Sequence, residues 1–160
     1  CSFNSLKLRT QKVGLQEHWL GLVVTLATFD VVVVQEVPAE GSVKNVEDTR
    51  AYCLKRLLDH HSGDEWQIVL SEAAGPGNLE IHVGLVRTPI KVLEHCTHHK
   101  AGDATLDHAP LVMKLYDERF QNEGDRTWVI TSVHFPPKSR ARERDAQINR
   151  FFSTYAMESE

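Results

Sequence analysis

Four consecutive valines at residues 31–34, followed directly by Gln35 and Glu36, constrain the fold of this chain more than any other feature. The run is long enough for a β-strand but far too short to span a membrane. Because it is apolar at every position, it predicts a strand that is buried on both faces. Such a strand would end with an amide and a carboxylate at a sheet edge, where ligands of α/β sheets bind and where a carboxylate can hold a divalent metal.

Composition describes an ordinary globular domain. The 160 residues are enough for one domain with a real core, and the hydrophobic content of 41% and charged content of 25% are typical values. The formal net charge of −4 gives no overall attraction to nucleic acid, so polyanion binding would need local groups or a bound cation. No apolar stretch reaches membrane length. Cys1, Cys53 and Cys96 have no metal-ligand spacing, which predicts free, mostly buried thiols, with a Cys53–Cys96 disulfide as the alternative.

The pattern of apolar residues predicts an alternation of strands and helices. The predicted strands are residues 1–8, 30–35, 66–70, 80–87, 90–96, 110–116 and 127–135, and the predicted helices are residues 12–28, 46–61 and a segment after Ser139. We expect residues 80–87 and 90–96 to pair as an antiparallel hairpin. The predicted fold class is α/β (α+β), with a mixed β-sheet covered by helices on one face. Its other face also needs a cover, which we expect to lie outside this chain.

Five short motifs, in the same order along the chain, carry a resemblance to a known family. They are Asn4 after Phe3, the pair Gln35-Glu36, the segment Ser71-Glu72-Ala73-Ala74-Gly75 with Glu80 and Arg87 behind it, His108-Ala109-Pro110 with Lys114, and Val133-His134-Phe135-Pro136-Pro137. Together they resemble the endonuclease/exonuclease/phosphatase superfamily, in its deoxyribonuclease I-like branch. The resemblance implies the first half of a four-layer α/β/β/α sandwich. The family's G-D-x-N and terminal S-D-H are absent, so we expect residues 1–160 to be a single partial domain whose C-terminal half is missing.

The resemblance also implies roles for individual residues. Phosphodiester hydrolysis needs charge neutralisation, an activated water and a proton for the leaving oxygen. Glu36 would hold Mg²⁺, with Mn²⁺ or Ca²⁺ as alternatives, and Asn4 would support it through its amide. His134 would be the catalytic histidine, and Glu80 the acid that orients it. The plainer interpretations are solvated acids for Glu36 and Glu80, a turn or cap residue for Asn4, and a paired strand histidine for His134.

Three further residues are predicted to contact substrate phosphates. His108 stands where the branch has a phosphate-binding arginine, and Asn78 stands where many members have a tyrosine, so the substrate is less well defined than the chemistry. Arg140 belongs to a basic cluster that follows the motif of His134. The alternative for this cluster is a solvated helix start, because acidic residues are interleaved with the basic ones.

These features lead to one main functional hypothesis and two alternatives. The main hypothesis is a metal-dependent phosphodiester hydrolase, a deoxyribonuclease-like endonuclease whose substrate is DNA. The first alternative keeps the site but takes a phospholipid or inositol phosphate as substrate. The second is a non-catalytic binding or scaffold relative. We expect the isolated segment to be inactive and prone to aggregation, because one face of its sheet would be bare.

Overall fold

A computed structural model describes residues 1–4, 15–39, 49–73, 80–96, 100–101, 104–105, 110–120, 122, 126–135 and 138–155. Within these residues the elements are, in chain order, β1 (Ser2–Asn4), α1 (Leu15–Leu26), β2 (Val31–Pro38), α2 (Arg50–Ser62), β3 (Trp66–Leu70), β4 (Glu80–Arg87), β5 (Ile90–Cys96), β6 (Lys100–Ala101), β7 (Ala104–Thr105), β8 (Leu111–Asp117), β9 (Thr127–Ser132), a 3₁₀ turn (Lys138–Arg140) and α3 (Ala141–Tyr155). No helix in the described part of the chain is both long and apolar enough to cross a membrane.

The strands form two main sheets. The first sheet has the order β1-β2-β4-β3, in which β1 runs parallel to β2 and the other neighbours are antiparallel. The second sheet has the antiparallel order β5-β8-β9, and β6 and β7 form a small separate pair. The predicted class, an α/β fold with a mixed sheet and covering helices, is confirmed.

The predicted hairpin between residues 80–87 and 90–96 is wrong. β4 pairs with β2 and β3, whereas β5 pairs with β8. The turn at Thr88 and Pro89, joined by a cis peptide bond, carries the chain from the first sheet to the second. Because the strands of the first sheet are apolar on both faces, placing the following strands in a second, stacked sheet buries more apolar surface than a wider single sheet would.

The expectation that one face of the first sheet lacks a cover within this chain is also wrong. Val32, Val34 and Val37 pack on the side of α1 and α2. Val31 and Val33 pack on the other side, in a core shared with the second sheet. That core also contains Val69, Val86, Ile90, Leu111, Met113 and Leu115. The chain therefore builds a helix–sheet–sheet arrangement by itself, which removes the reason for expecting aggregation through a bare face of this sheet.

The two helices on the first sheet present apolar stripes to it. Val23 and Leu26 of α1 are buried, as are Ala51, Leu54 and Leu58 of α2. α2 ends at Gly63, which has a left-handed φ of 73° and donates its N–H to the Asp59 carbonyl at 3.0 Å. This is the usual way in which a glycine closes a helix.

The cysteines are free thiols, as predicted, and the alternative disulfide is not formed. The expectation that they are mostly buried is wrong. Cys1 is exposed, and Cys53 and Cys96 are half-buried. The Sγ atom of Cys53 accepts a hydrogen bond from the Arg56 guanidinium at 3.2 Å.

An ion-pair network joins the two sheets at the start of β2. Arg119, just after β8, contacts Asp117 at 2.7 Å and reaches across to Asp30 at 3.0 Å. Asp30 also binds Arg87 at 2.5 Å. The hydrogen bond from Arg87 holds the pKa of the Asp30 carboxyl below its ordinary value, and the one from Arg119 does the same for the buried Asp117. The network ties the sheets together at the end opposite to Glu36.

Candidate active site

The candidate site begins with a bulge in β2. The register of β2 against β4 is interrupted after Val34 and resumes at Val37, so that Gln35 and Glu36 together oppose the single residue His82. Glu36 has a φ of 57°, in the left-handed region that residues other than glycine rarely adopt. Two residues facing one, with a local rotation of the backbone, define a β-bulge, and bulges commonly redirect a side chain.

The bulge changes which way the two polar residues point. Side chains alternate strictly along a regular strand, so Val34 and Val37 would face opposite sides. Both instead pack in the core on the helix side. The extra residue of the bulge lies between them, and Gln35 contacts Ser132 at the end of β9 while Glu36 contacts His134, which follows β9.

Glu36 meets His134 where the two sheets end. The Nε2 atom of His134 lies 3.3 Å from Oε1 of Glu36, and the side chains are 23% and 14% exposed. His134 lies two residues beyond Ser132, the last residue of β9. A carboxylate from the first sheet and an imidazole that follows the second sheet are thus in contact, and both are partly buried. Such a pair can hold a cation or transfer a proton.

Gln35 connects the same two segments. Its Nε2 donates to the Ser132 hydroxyl at 3.0 Å and to the Val133 carbonyl at 3.2 Å. Ser132 is buried. The residue just before the predicted metal ligand therefore binds the two residues just before the predicted catalytic histidine.

Two more predicted site residues lie on the strands that flank Glu36. Asn4 of β1 pairs with Gln35, which places its backbone at the same sheet end, while its side chain lies outside the described residues. Glu80 begins β4 and pairs with Pro38, two residues beyond Glu36. Its role in orienting His134 stays a prediction.

The roles of the three predicted phosphate-binding residues stay predictions. Asn78 and His108 lie outside the described residues. Arg140 is in the 3₁₀ turn, half exposed, and pairs with Glu143 at 3.0 Å. This pairing agrees with the plainer interpretation of its basic cluster as a solvated helix start, since a neighbouring acid already balances the charge.

Sequence reasoning missed His82 as a residue of this region. His82 is only 3% exposed, and its backbone N–H donates to the Ser71 hydroxyl at 2.8 Å. The signal was present in the sequence. Alternation along residues 80–87 puts His82 on the same face as Gly84, which contacts the second sheet through Met113. A polar residue on that face, close to the strand end, indicates proximity to the site.

The described side chains around Glu36 fit a magnesium site better than a structural zinc site. No group of three or more His, Cys, Asp or Glu side chains able to hold a metal occurs among the residues that the structure describes. A structural zinc site needs four such ligands, and the described residues do not bring four together. Hydrated Mg²⁺ keeps several of its waters and needs only one or two carboxylates. The single carboxylate of Glu36 could therefore hold a hydrated magnesium ion.

An apolar groove lies on the helix side of the first sheet. It has a volume of about 500 Å³, runs between α1 and α2, and is lined by Trp19, Leu20, Val23, Cys53, Leu57, His60 and His61. The first sheet separates it from the Glu36–His134 pair, because the helices and His134 lie on opposite faces of β2. The groove therefore takes no part in the candidate site.

The sequence matches no protein-family model and no curated protein. Solved structures do match it. An endonuclease/exonuclease/phosphatase family protein from Leptotrichia buccalis has a TM-score of 0.71 at 14% identity, over 96% of this chain and 60% of its own. TDP2 of D. rerio, complexed with single strand DNA product, has a TM-score of 0.59 at 18% identity, over 95% of this chain and 52% of its own. The endonuclease/exonuclease/phosphatase from Bacteroides vulgatus has a TM-score of 0.56 at 14% identity, over 97% of this chain and 59% of its own.

This chain has the endonuclease/exonuclease/phosphatase fold. The predicted resemblance is confirmed at the level of the fold, and identities this low show nothing finer. The chain spans between 52% and 60% of the length of these three structures.

Proposed function

We propose that this chain supplies half of the active site of a metal-dependent phosphodiester hydrolase, a deoxyribonuclease-like endonuclease that cleaves nucleic-acid backbones. The main support is the 3.3 Å contact between Glu36 and His134 at the joined ends of two sheets with the endonuclease/exonuclease/phosphatase fold. The DNA product in the similar structure of D. rerio TDP2 favours nucleic acid as the substrate.

In this proposal Glu36 binds a hydrated Mg²⁺ ion, with the amide of Asn4 as a supporting ligand and Mn²⁺ or Ca²⁺ as alternative cations. The cation would neutralise charge on the phosphoryl oxygens. The contact with Glu36 also keeps the Nε2 atom of His134 close to the proposed cation site. The imidazole could therefore transfer a proton to or from a phosphate bound at that site. Glu80 would orient His134, and Arg140, Asn78 and His108 would contact flanking phosphates.

The partial burial of the pair supports this division of roles. Because Glu36 and His134 are only partly exposed, solvent screens their charges less than it would at an open surface, which would strengthen their interaction with a phosphate bound beside them. No contact among the described residues favours a phospholipid or inositol phosphate as substrate, and that alternative stays a sequence-based prediction. The non-catalytic alternative is decided by the experiment below.

The test uses a protein that spans the whole fold and measures Mg²⁺-dependent nicking of plasmid DNA. Glu36→Gln removes the charge but keeps the shape, and His134→Ala removes the proton carrier. We expect both to lose activity, His134→Ala by about 10²–10⁴-fold, the usual contribution of a general acid or base. The matched controls are Glu94→Gln and His61→Ala, which change exposed residues away from the site. Unchanged nicking in both site variants would reject the assignment, and a wild type without activity would favour the non-catalytic alternative.

Metal binding is tested on the 160-residue chain itself. Mn²⁺ broadens the NMR signals of nearby nuclei, so titration should selectively broaden the backbone signals around Glu36 and the ring signals of His134. Glu36→Gln should abolish this broadening, and Glu94→Gln should keep it. Equal broadening in the wild type and in Glu36→Gln would mean that the cation binds elsewhere.

A further inference from the structure

The Glu36–His134 contact joins two segments that no strand pairing holds together. Glu36 belongs to the first sheet, and His134 follows the last strand of the second. Stacked sheets pack through side chains about 10 Å apart, without a ladder of backbone hydrogen bonds between them. Moreover, the pairing of β9 with β8 ends at Ser132, so the ladder does not fix the two residues that follow. Something else must set the distance between carboxylate and imidazole.

We propose that Gln35 is a positioning residue that fixes His134 relative to Glu36. Its Nε2 atom uses two hydrogen bonds, one to the Ser132 hydroxyl and one to the Val133 carbonyl. The second bond is the decisive one, because it holds the backbone of the residue that immediately precedes His134. The meaning of this role for catalysis rests on the proposed function, but the geometric role does not.

The bulge explains why this task falls to the neighbour of Glu36. In a regular strand, residues 35 and 36 would point to opposite faces, and only one of them could reach β9. The extra residue turns both toward the second sheet. One backbone feature therefore aims the ligand and its positioning residue together, so that a movement of either is shared by both.

The chemistry of an amide suits this position. A primary amide offers two N–H donors on one nitrogen, and here both meet acceptors on adjacent residues. A glutamate of the same length would face the Val133 carbonyl with a second acceptor. A methionine would fill similar space without any donor. Glutamine alone among these residues satisfies both acceptors without placing a second charge beside Glu36.

The chain contains a matched control for a contact of this type. Gln67 of β3 also links the two sheets, since its Oε1 accepts a hydrogen bond from the backbone N–H of Val92 at 3.1 Å. Gln67 pairs with Val86 at the other end of the first sheet from Glu36. Replacing Gln67 should loosen the sandwich about as much as replacing Gln35, but away from the site.

The experiment measures nuclear Overhauser effects between the ring protons of His134 and the side-chain methylene protons of Glu36, in the 160-residue chain without added metal. We expect the wild type and Gln67→Met to show these cross-peaks, and Gln35→Met to lose them. Should Gln35→Met fail to fold, Gln35→Glu replaces it. It keeps the length of the side chain, removes the donor, and should lose the same cross-peaks.

Retention of the cross-peaks in the folded Gln35 variant would overturn the proposal, and so would their loss in Gln67→Met, because general loosening would then explain both. In a protein that spans the whole fold, Gln35→Met should lower kcat by about 10²-fold with little change in KM, the effect of displacing a catalytic group by about 1 Å. Loss of the cross-peaks without any loss of nicking would leave the positioning role standing and count against the proposed function.

Discussion

Glu36 is the proposed metal ligand, and its backbone has a left-handed φ of 57°. A left-handed φ costs an ordinary L-residue about 1–2 kcal/mol, and such conformations are often found at functional sites. The sequence could predict a carboxylate at the strand end, because the valine run shows where the strand lies. It could not predict the positive φ, since glutamate has no preference for it.

The backbone of Glu36 gives a prediction about stability. Glycine enters the left-handed region without penalty, so Glu36→Gly should be more stable than Glu36→Ala by about 1 kcal/mol. Both variants lose the carboxylate, so the contact with His134 cancels in the comparison. At Thr131, an exposed position of β9, the order should reverse, with Gly less stable than Ala by roughly 0.5–1 kcal/mol. Urea denaturation of the four variants measures both differences. The same order at both positions would show that residue 36 is not held in this conformation.

Among the elements, the strands were predicted well and their partners were not. Residues 66–70, 80–87 and 90–96 were predicted as strands with the bounds that the structure has. The pairing of these strands depends on the burial of both faces of β2 and β4. The apolar pattern of a single strand shows that both faces must be covered, but it does not show which segment covers them. β2 itself runs three residues further than predicted, to Pro38, because pairing with β4 resumes after the bulge.

The helices show the same limit. Leu57 of α2 and Phe152 of α3 are large apolar residues, yet they are 40% and 59% exposed. Periodicity identifies a stripe of apolar residues on a helix but does not say how wide a surface faces it. α2 uses Ala51, Leu54 and Leu58 for the sheet, which leaves Leu57 at the groove beside α1.

The close approach of the two sheets can be tested at Gly84. A Cβ atom there would collide with Sδ of Met113 and stand 3.2 Å from Cδ2 of Leu111, and both neighbours are fully buried. Gly84→Ala should destabilise the protein by about 1–2 kcal/mol, the cost of one extra methyl group in a packed core. The control is Gly21→Ala, on the exposed side of α1 with nothing near the new methyl group, which should stabilise by about 0.5–1 kcal/mol.

Thermal or urea unfolding gives both values. The second substitution Met113→Val shortens the neighbour and should recover part of the loss at Gly84. Equal effects of alanine at positions 21 and 84 would contradict the tight packing between the sheets at this point.

For the whole molecule, the sandwich has two differently stabilised ends. At one end Gln35, Glu36 and His134 form the candidate site, and at the other the ion-pair network joins the sheets. The meeting of Glu36 with His134 follows from motifs that the sequence contains. The network does not, because Arg119 lies in a charged connection that looks like any exposed turn. Only the stacking of the sheets brings it to Asp30.

This network makes the stability of the molecule depend on pH. The pKa values of Asp30 and Asp117 are lowered in the folded protein, Asp30 through its hydrogen bond from Arg87 and Asp117 through that from Arg119. The unfolded chain therefore binds protons at higher pH than the folded one. The stabilisation is fully present above the ordinary carboxyl pKa of about 3.9, and it is lost as the pH falls through the lowered folded values.

Replacing Arg119 should weaken both features. Arg119→Leu leaves the buried Asp117 without its cation, which should destabilise the protein at pH 7 by about 2 kcal/mol, below the usual cost for a buried pair because solvent screens the half-exposed arginine. The loss of stability between about pH 4 and pH 2 should also become shallower than in the wild type, since the variant has less to lose. Lys91→Leu, which breaks the exposed pair with Glu118, is the control and should leave the acid limb of the stability profile unchanged. The measurement is the free energy of unfolding of each variant across this pH range. Parallel curves for the wild type and Arg119→Leu would mean that the ion-pair network does not make the stability depend on pH.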